Sequence, residues 1–163
     1  MIIIGNDMLT LKGKIASGAM RGSPLVDTFY YRLIGILGVE PFKGTMDIQL
    51  ESPVDVSLYS TKSIDHILID GTKKVYAYLA PIVLTMRKEG GAEDYNCWVI
   101  REPAYQNQDM VEVVARDNLK DKFGIKDGDI VEITFLAERK RKKMPGAELF
   151  RRLYGVQTQM MKS

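Results

Sequence analysis

Thr45 and Asp47 stand two apart in KGTMDI, residues 43–48, directly after Pro41-Phe42. On an extended strand an i, i+2 pair points to one face, so a hydroxyl and a carboxylate converge there. Two hard oxygen donors suit magnesium, which keeps several waters and takes the rest of its shell from phosphate. In isolation the same pair reads as ordinary solvent-facing polarity. A second candidate is SGAMRGS, Ser17 to Ser23. Placed between a strand and a helix start, it can turn backbone amides and the helix N-terminus toward an anion, with Arg21 as a charged donor. Two glycines and a serine in that position are also the composition of a plain turn.

Other chemistries fail early. The one histidine, His66, leaves no paired-histidine metal motif, and it reads as a surface or strand residue. No GxxxxGK[ST] pattern is present, so phosphate binding needs a different cradle. The single cysteine, Cys97, excludes an internal disulfide and a multi-cysteine zinc site, and it reads as a strand residue in a reducing compartment. MIIIGNDM lacks a basic n-region and no apolar run reaches membrane-span length, so a soluble, cytoplasmic protein is expected. From Ala137 onward eight Lys or Arg face two Glu, a net of +6 that leaves −4 on residues 1–136 of a total of +2. Such a basic extension suits nucleic acid or another anionic surface, and equally a solvated tail.

The elements that must carry these residues follow from periodicity. LTLKGKIA, Leu9 to Ala16, alternates as a half-buried strand. Ser23-Pro24 suits the cap and first position of a helix whose stripe of Phe29, Leu33, Ile34 and Leu37 runs to a stop at Gly38. TMDIQLE then places Met46, Ile48 and Leu50 on one face and Thr45, Asp47 and Gln49 on the other. Ser52-Pro53 and Asp70-Gly71 suggest short strands joined by hairpins. VYAYLAPIVLTM reads as a strand interrupted at Pro81, EGGAEDYN as a loop, and CWVIR and DMVEVVA as strands around EPAYQNQ, a polar segment able to reach over a site. Asp117 is placed to cap a short helix, DNLKDKF, closed by Gly124, before a last strand IVEITFL. With 163 residues, 45% of them hydrophobic, this makes one mostly β barrel with one or two short helices, residues 1–136, and a basic extension, residues 137–163. Within the extension, PGAELFRRLYGV has the pattern of a short amphipathic helix.

Taken in order, the strand, the glycine loop, the helix, LGVEPFKGTMDI and YQNQDMVEVVARDNLKDKFGIKDGDIVEI resemble the archaeal CTP-dependent riboflavin kinases over about residues 9–136. The resemblance implies a six-stranded cradle-loop barrel that transfers the terminal phosphoryl group of CTP, or of another nucleoside triphosphate, to the 5′-hydroxyl of riboflavin, giving FMN and, from CTP, CDP. It implies that Gly18, Ala19, Met20, Arg21, Gly22 and Ser23 hold the nucleotide phosphates and that Asp117, Asn118, Leu119 and Lys120 hold the nucleotide. It puts magnesium on Thr45 and Asp47, and flavin contacts on Ala104 and Glu112. Tyr105 and Trp98 are aromatic candidates for stacking on the isoalloxazine, and Glu112 is a candidate base for the acceptor hydroxyl.

The chain departs from the family pattern in three places. Its loop carries Ala19-Met20-Arg21 and Pro24 and is bulkier. Asp47 replaces the asparagine of a GTLN motif, which keeps an oxygen ligand and adds a negative charge. Ala104 replaces a threonine and forgoes a flavin hydrogen bond worth about 0.5–1.5 kcal/mol. DNLKDKFGIKDGDIVEI also resembles PxxLRxxLGIKDGDxVEI of the swapped-hairpin transcription regulators, a DNA-binding class that the basic extension suits. Those domains are shorter and lack counterparts of SGAMRGS and KGTMD. A barrel that binds nucleotide or flavin without catalysis is the third reading.

Overall fold

Alternation from Thr10 to Ala16 builds the first strand, β1, with Leu11, Gly13 and Ile15 turned inward. The computed structural model describes residues 8–17, 22–105 and 107–141. The expected phosphate residues Gly18, Ala19, Met20 and Arg21 lie outside the described residues, as do the surroundings of Gly22 and Ser23 and the extension from residue 142 onward. After β1 come two helices, α1 (Gly22–Thr28) and α2 (Tyr30–Leu37), and then β2 (Met46–Leu50). A 3-10 turn, Val56–Tyr59, leads into β3 (Lys62–Ile67), β4 (Lys73–Lys88), β5 (Gly91–Arg101) and β6 (Met110–Val114), and α3 (Leu119–Phe123) precedes β7 (Ile130–Phe135).

All pairings are antiparallel, in the order β3-β4-β5-β6-β2-β1-β7, and β7 also pairs with β4. The expected six strands are therefore β4, β5, β6, β2, β1 and β7, closed into a barrel-like ring, and β3 is a seventh added along the outer part of β4. Closure removes the exposed edges that an open sheet would leave. On one side of β4 the partner changes from β3, which ends opposite Leu79, to β7, which begins opposite Ile82. Pro81 sits in that gap, and its carbonyl accepts from Leu136 N at 3.0 Å, so its missing donor faces a place where no ladder bond is required. The strand is continuous through Pro81, contrary to the interruption expected from sequence.

The ring interior is filled by Ile15, Ile48, Ile82, Leu84, Ile133 and Phe135, with Tyr59 closing on Phe135 at 5.0 Å between ring centroids. Gly13 is required there: a Cβ would meet Ile48 Cγ2 at 2.5 Å, so β1 and β2 cross closely only because this side chain is absent. A second apolar layer lies outside the ring. Val26 of α1 and Leu33 of α2 are fully buried against Ile64, Leu79, Ile100 and Val114. Each such side chain contributes roughly 2 kcal/mol by removal from water.

Three other expectations change. The single helix to Gly38 is broken at Phe29, which stands as the N-cap residue of α2, although Gly38 does end it in the left-handed conformation (φ 76°) with its N–H on Ile34 O. EGGAEDYN is not a loop: Lys88 pairs with Gly91 across a two-residue turn, and the rest belongs to β5. α3 is capped by Asn118, which accepts from Asp121 N at 3.3 Å, rather than by Asp117. His66 is an exposed strand residue and Cys97 a buried one whose thiol is pushed up to about 12 by burial, leaving it unreactive. Among the described residues no helix is long and apolar enough to cross a membrane. Lys140, at the start of the basic extension, lies on the 3-10 turn, its N–H on Leu58 O at 2.8 Å and its Nζ 3.3 Å from Ser60 Oγ.

Candidate active site

β2 lies between β1 and β6, and the register puts Asp47 beside Ala16 on one side and beside Glu112 on the other. Because Met46, Ile48, Val111 and Val113 point into the ring, Asp47 and Glu112 share its opposite face. Both are buried, at 5% and 8% exposure. Thr45 donates from Oγ1 to Glu112 Oε2 at 2.9 Å. The sequence reading gave Thr45 and Asp47 to the metal and Glu112 to the flavin; the fold brings the three together.

The donor set is a hydroxyl and two carboxylates, all hard oxygen. Among the described residues no group of three or more His, Cys, Asp and Glu could enclose a metal. A hydroxyl and a carboxylate on one strand face are hard oxygen ligands of the kind magnesium takes alongside waters and substrate phosphates. Thr45 and Asp47 therefore fit the ion that the resemblance implies.

These residues open onto a cavity of about 260 Å³. Its walls include Ser17 at the end of β1, Thr45 and Asp47, and Asp117, Asn118 and Lys120 at the start of α3. Leu119 also borders the cavity, but its side chain is packed in the ring core. Lys120 is bridged to Asp127 at 2.9 Å. The Asp117 carboxylate accepts from Tyr95 OH at 2.7 Å, with Arg116 and Lys122 each 3.6 Å away. The Tyr95 bond, with the two cations, holds the Asp117 carboxyl below its usual range, while burial and the Asp117 charge push the Tyr95 phenol up to about 12. Asp117 is thereby kept ionised and fixed in direction.

On the other side of Glu112 the space is closed. The cleft formed with Leu25, Arg101, Tyr105 and Met110 holds only about 10 Å³. Next to it, a cavity of about 270 Å³ is bordered by Asp55, Ser57, Tyr78, Arg101 and Tyr105. Ala104 is exposed on the turn just before Tyr105. Trp98 is not in this region's cleft; it packs with the helix-covered layer and borders a surface groove with Leu37, Pro81 and Tyr95. Arg101 was missed from sequence, where it reads as the end of a strand. The residue is buried at 7% exposure, and its guanidinium donates to Asn107 O at 3.0 Å and Met110 O at 2.8 Å. Burial lowers its pKa, against the neighbouring Tyr105, Asp55, Glu112 and Asp109.

A family model labelled CTP-dep_RFKase and described as "Domain of unknown function DUF120" matches residues 15–135. A riboflavin kinase of Pyrobaculum islandicum is 30% identical over 140 residues, covering 80% of this chain and 62% of that protein. A riboflavin kinase of Staphylothermus marinus is 29% identical over 132 residues, covering 80% of this chain and 94% of that protein. One of Methanococcus vannielii is 27% identical over 124 residues, covering 74% and 93%. The chain thus spans about three fifths of the length of the Pyrobaculum proteins and nearly all of the shorter relatives. Since the matched region takes in the closed ring from the end of β1 to the end of β7, with Asp47, Glu112 and the start of α3 inside it, the chain belongs to the CTP-dependent riboflavin kinase family.

Proposed function

We propose that this protein is a riboflavin kinase that transfers the terminal phosphoryl group of CTP to the riboflavin 5′-hydroxyl, yielding FMN and CDP. The observation that carries the reading is that Thr45 and Asp47 line a cavity that also reaches Asp117 to Lys120, while Glu112 stands next to both, bonded to Thr45 and paired across the ladder with Asp47. Phosphoryl transfer depends mainly on positioning and on neutralising charge, and oxygen ligands at the wall of a cavity provide the means for both.

In this reading Thr45 and Asp47 hold magnesium, which supplies charge neutralisation on the phosphates when bound. Asp117, Asn118 and Lys120, with the backbone at Leu119, line the nucleotide's side of the cavity. Gly18 to Ser23 cradle the phosphates, and Arg21 steadies them. Glu112 takes the proton of the acceptor hydroxyl; the Thr45 bond keeps one of its oxygens directed along β2. Tyr105 and Ala104 form the flavin's side, so the acceptor enters from the loop between β5 and β6. In this reading the chain acts in the cytoplasm on its two small-molecule substrates, and any contact with nucleic acid is made through the basic extension, residues 137–163.

The test is direct. Riboflavin and magnesium are incubated with the protein and each of the four nucleoside triphosphates, and FMN is quantified. The expectation is FMN with CTP as the preferred donor. No FMN with any of the four would contradict the reading, and equal rates with all four would refute its CTP preference.

A further inference from the structure

The loop between β5 and β6 carries Ala104 and Tyr105, yet the bonds within it are local. Tyr105 N donates to Glu102 O at 3.1 Å, and Met110 N to Asn107 O at 3.4 Å. Its far end is held to the last residue of β2 and the chain beyond, where Leu50 N and Val54 N donate to Asp109 O and Gln108 O at 2.6 and 2.8 Å. The buried side chain of Arg101 joins the near end of the loop to the far end. Arg101 is the last residue of β5, and its Nη1 and Nη2 reach the carbonyls of Asn107 and Met110 at 3.0 and 2.8 Å. Its guanidinium also lies 5.2 Å from the Tyr105 ring centroid.

A planar group donating to two carbonyls three residues apart fixes their relative position as well as their distance, and the same plane offers a face for an aromatic ring. Burying a guanidinium is costly unless its hydrogen bonds return something, and here they return the shape of the loop. We infer that Arg101 is a positioning residue for the acceptor side of the site: it ties both ends of the loop together so that Tyr105 and Glu112 border one cleft. This rests on the proposed function for its kinetic part and on geometry alone for its structural part.

The experiment compares Arg101→Met, which keeps much of the volume and removes the donors, with Arg101→Lys, which keeps the charge but has a single ammonium that cannot span both carbonyls. In Arg101→Met the riboflavin KM is expected to rise about tenfold, the scale of one or two lost charge-assisted hydrogen bonds, while the CTP KM stays within about twofold. Arg101→Lys falls between this variant and the parent. Hydrogen exchange of peptides covering residues 102–107 is expected to quicken in Arg101→Met, while Leu50 and Val54, whose N–H groups bond to Asp109 O and Gln108 O, and the strands of the ring keep their protection. A side chain that serves packing alone would leave Arg101→Met with the parent's riboflavin KM and the parent's exchange, and that result overturns the inference. Should Arg101→Met not fold, Arg101→Lys carries both readouts. If the parent protein makes no FMN, the proposed function fails, and the exchange comparison still decides the role of Arg101: unchanged protection at residues 102–107 refutes it.

Discussion

The two sides of Glu112 are built differently. Thr45, Asp47 and Glu112 sit at or beside a ladder whose register pairs Asp47 with both Ala16 and Glu112. A strand can shift its side chains only by slipping register, which would turn every core residue of β2 outward, so this side is fixed by the whole core. Ala104 and Tyr105 are on a loop whose form depends on one buried arginine, and the cleft between Tyr105 and Glu112 is almost closed. Charge neutralisation needs donors placed in advance, and ring strands give that. Admission of a large planar acceptor needs a surface that can move, and a tethered loop gives that.

This contrast orders the expected effects. The largest falls on the strand side: Asp47→Ala should reduce turnover by on the order of 10²–10³-fold at fixed magnesium, read in steady-state FMN formation, because a preorganised charged ligand is lost. A smaller effect falls on the loop side. Tyr105→Ala should raise the riboflavin KM about tenfold, with kcat and the CTP KM little changed. An equal rise in the CTP KM would show that the two substrates do not divide at Glu112 as described.

The smallest effect belongs to the support behind the cavity, the Tyr95–Asp117 bond. Tyr95 has its pKa raised from 10.0 to about 12, so its contribution to stability is complete below pH 10 and is lost as pH rises through about 12. Asp117 has its pKa lowered, so its contribution is present above the ordinary carboxylate range and is lost in acid below it. Tyr95→Phe removes the phenol, and its melting temperature should fall slightly below the parent's at neutral pH and converge with it toward pH 12. A constant difference across the alkaline range would show that the bond does not account for the change.

How far the sequence carried the reading can be followed residue by residue. The shared face of Thr45 and Asp47 was legible because strand periodicity is local and β2 alternates cleanly. Glu112 joining them was not, since its register against β2 is a pairing across more than sixty residues that no local pattern encodes. The ring itself followed from many short strands and from the family resemblance, while β5 was undercounted because Glu89-Gly90 makes the whole turn and the polar residues after it belong to a strand. The expected helix was two, broken at Phe29, because the apolar stripe that marks a helix continues across a break when both halves face the same layer. Arg101 was invisible for a further reason: a charged residue ending a strand reads as solvent-facing, and only the loop folded back on it makes it buried.

The central claim is that Asp47, held by the ring ladder beside Glu112, is a ligand for the magnesium that supports transfer to riboflavin. It is tested most directly by measuring FMN formation from riboflavin and CTP across a magnesium titration for the parent and for Asp47→Ala. The account predicts that the variant needs more magnesium to reach half of its own maximal rate and stays slower at saturation. A variant with the parent's magnesium dependence and the parent's rate would contradict it.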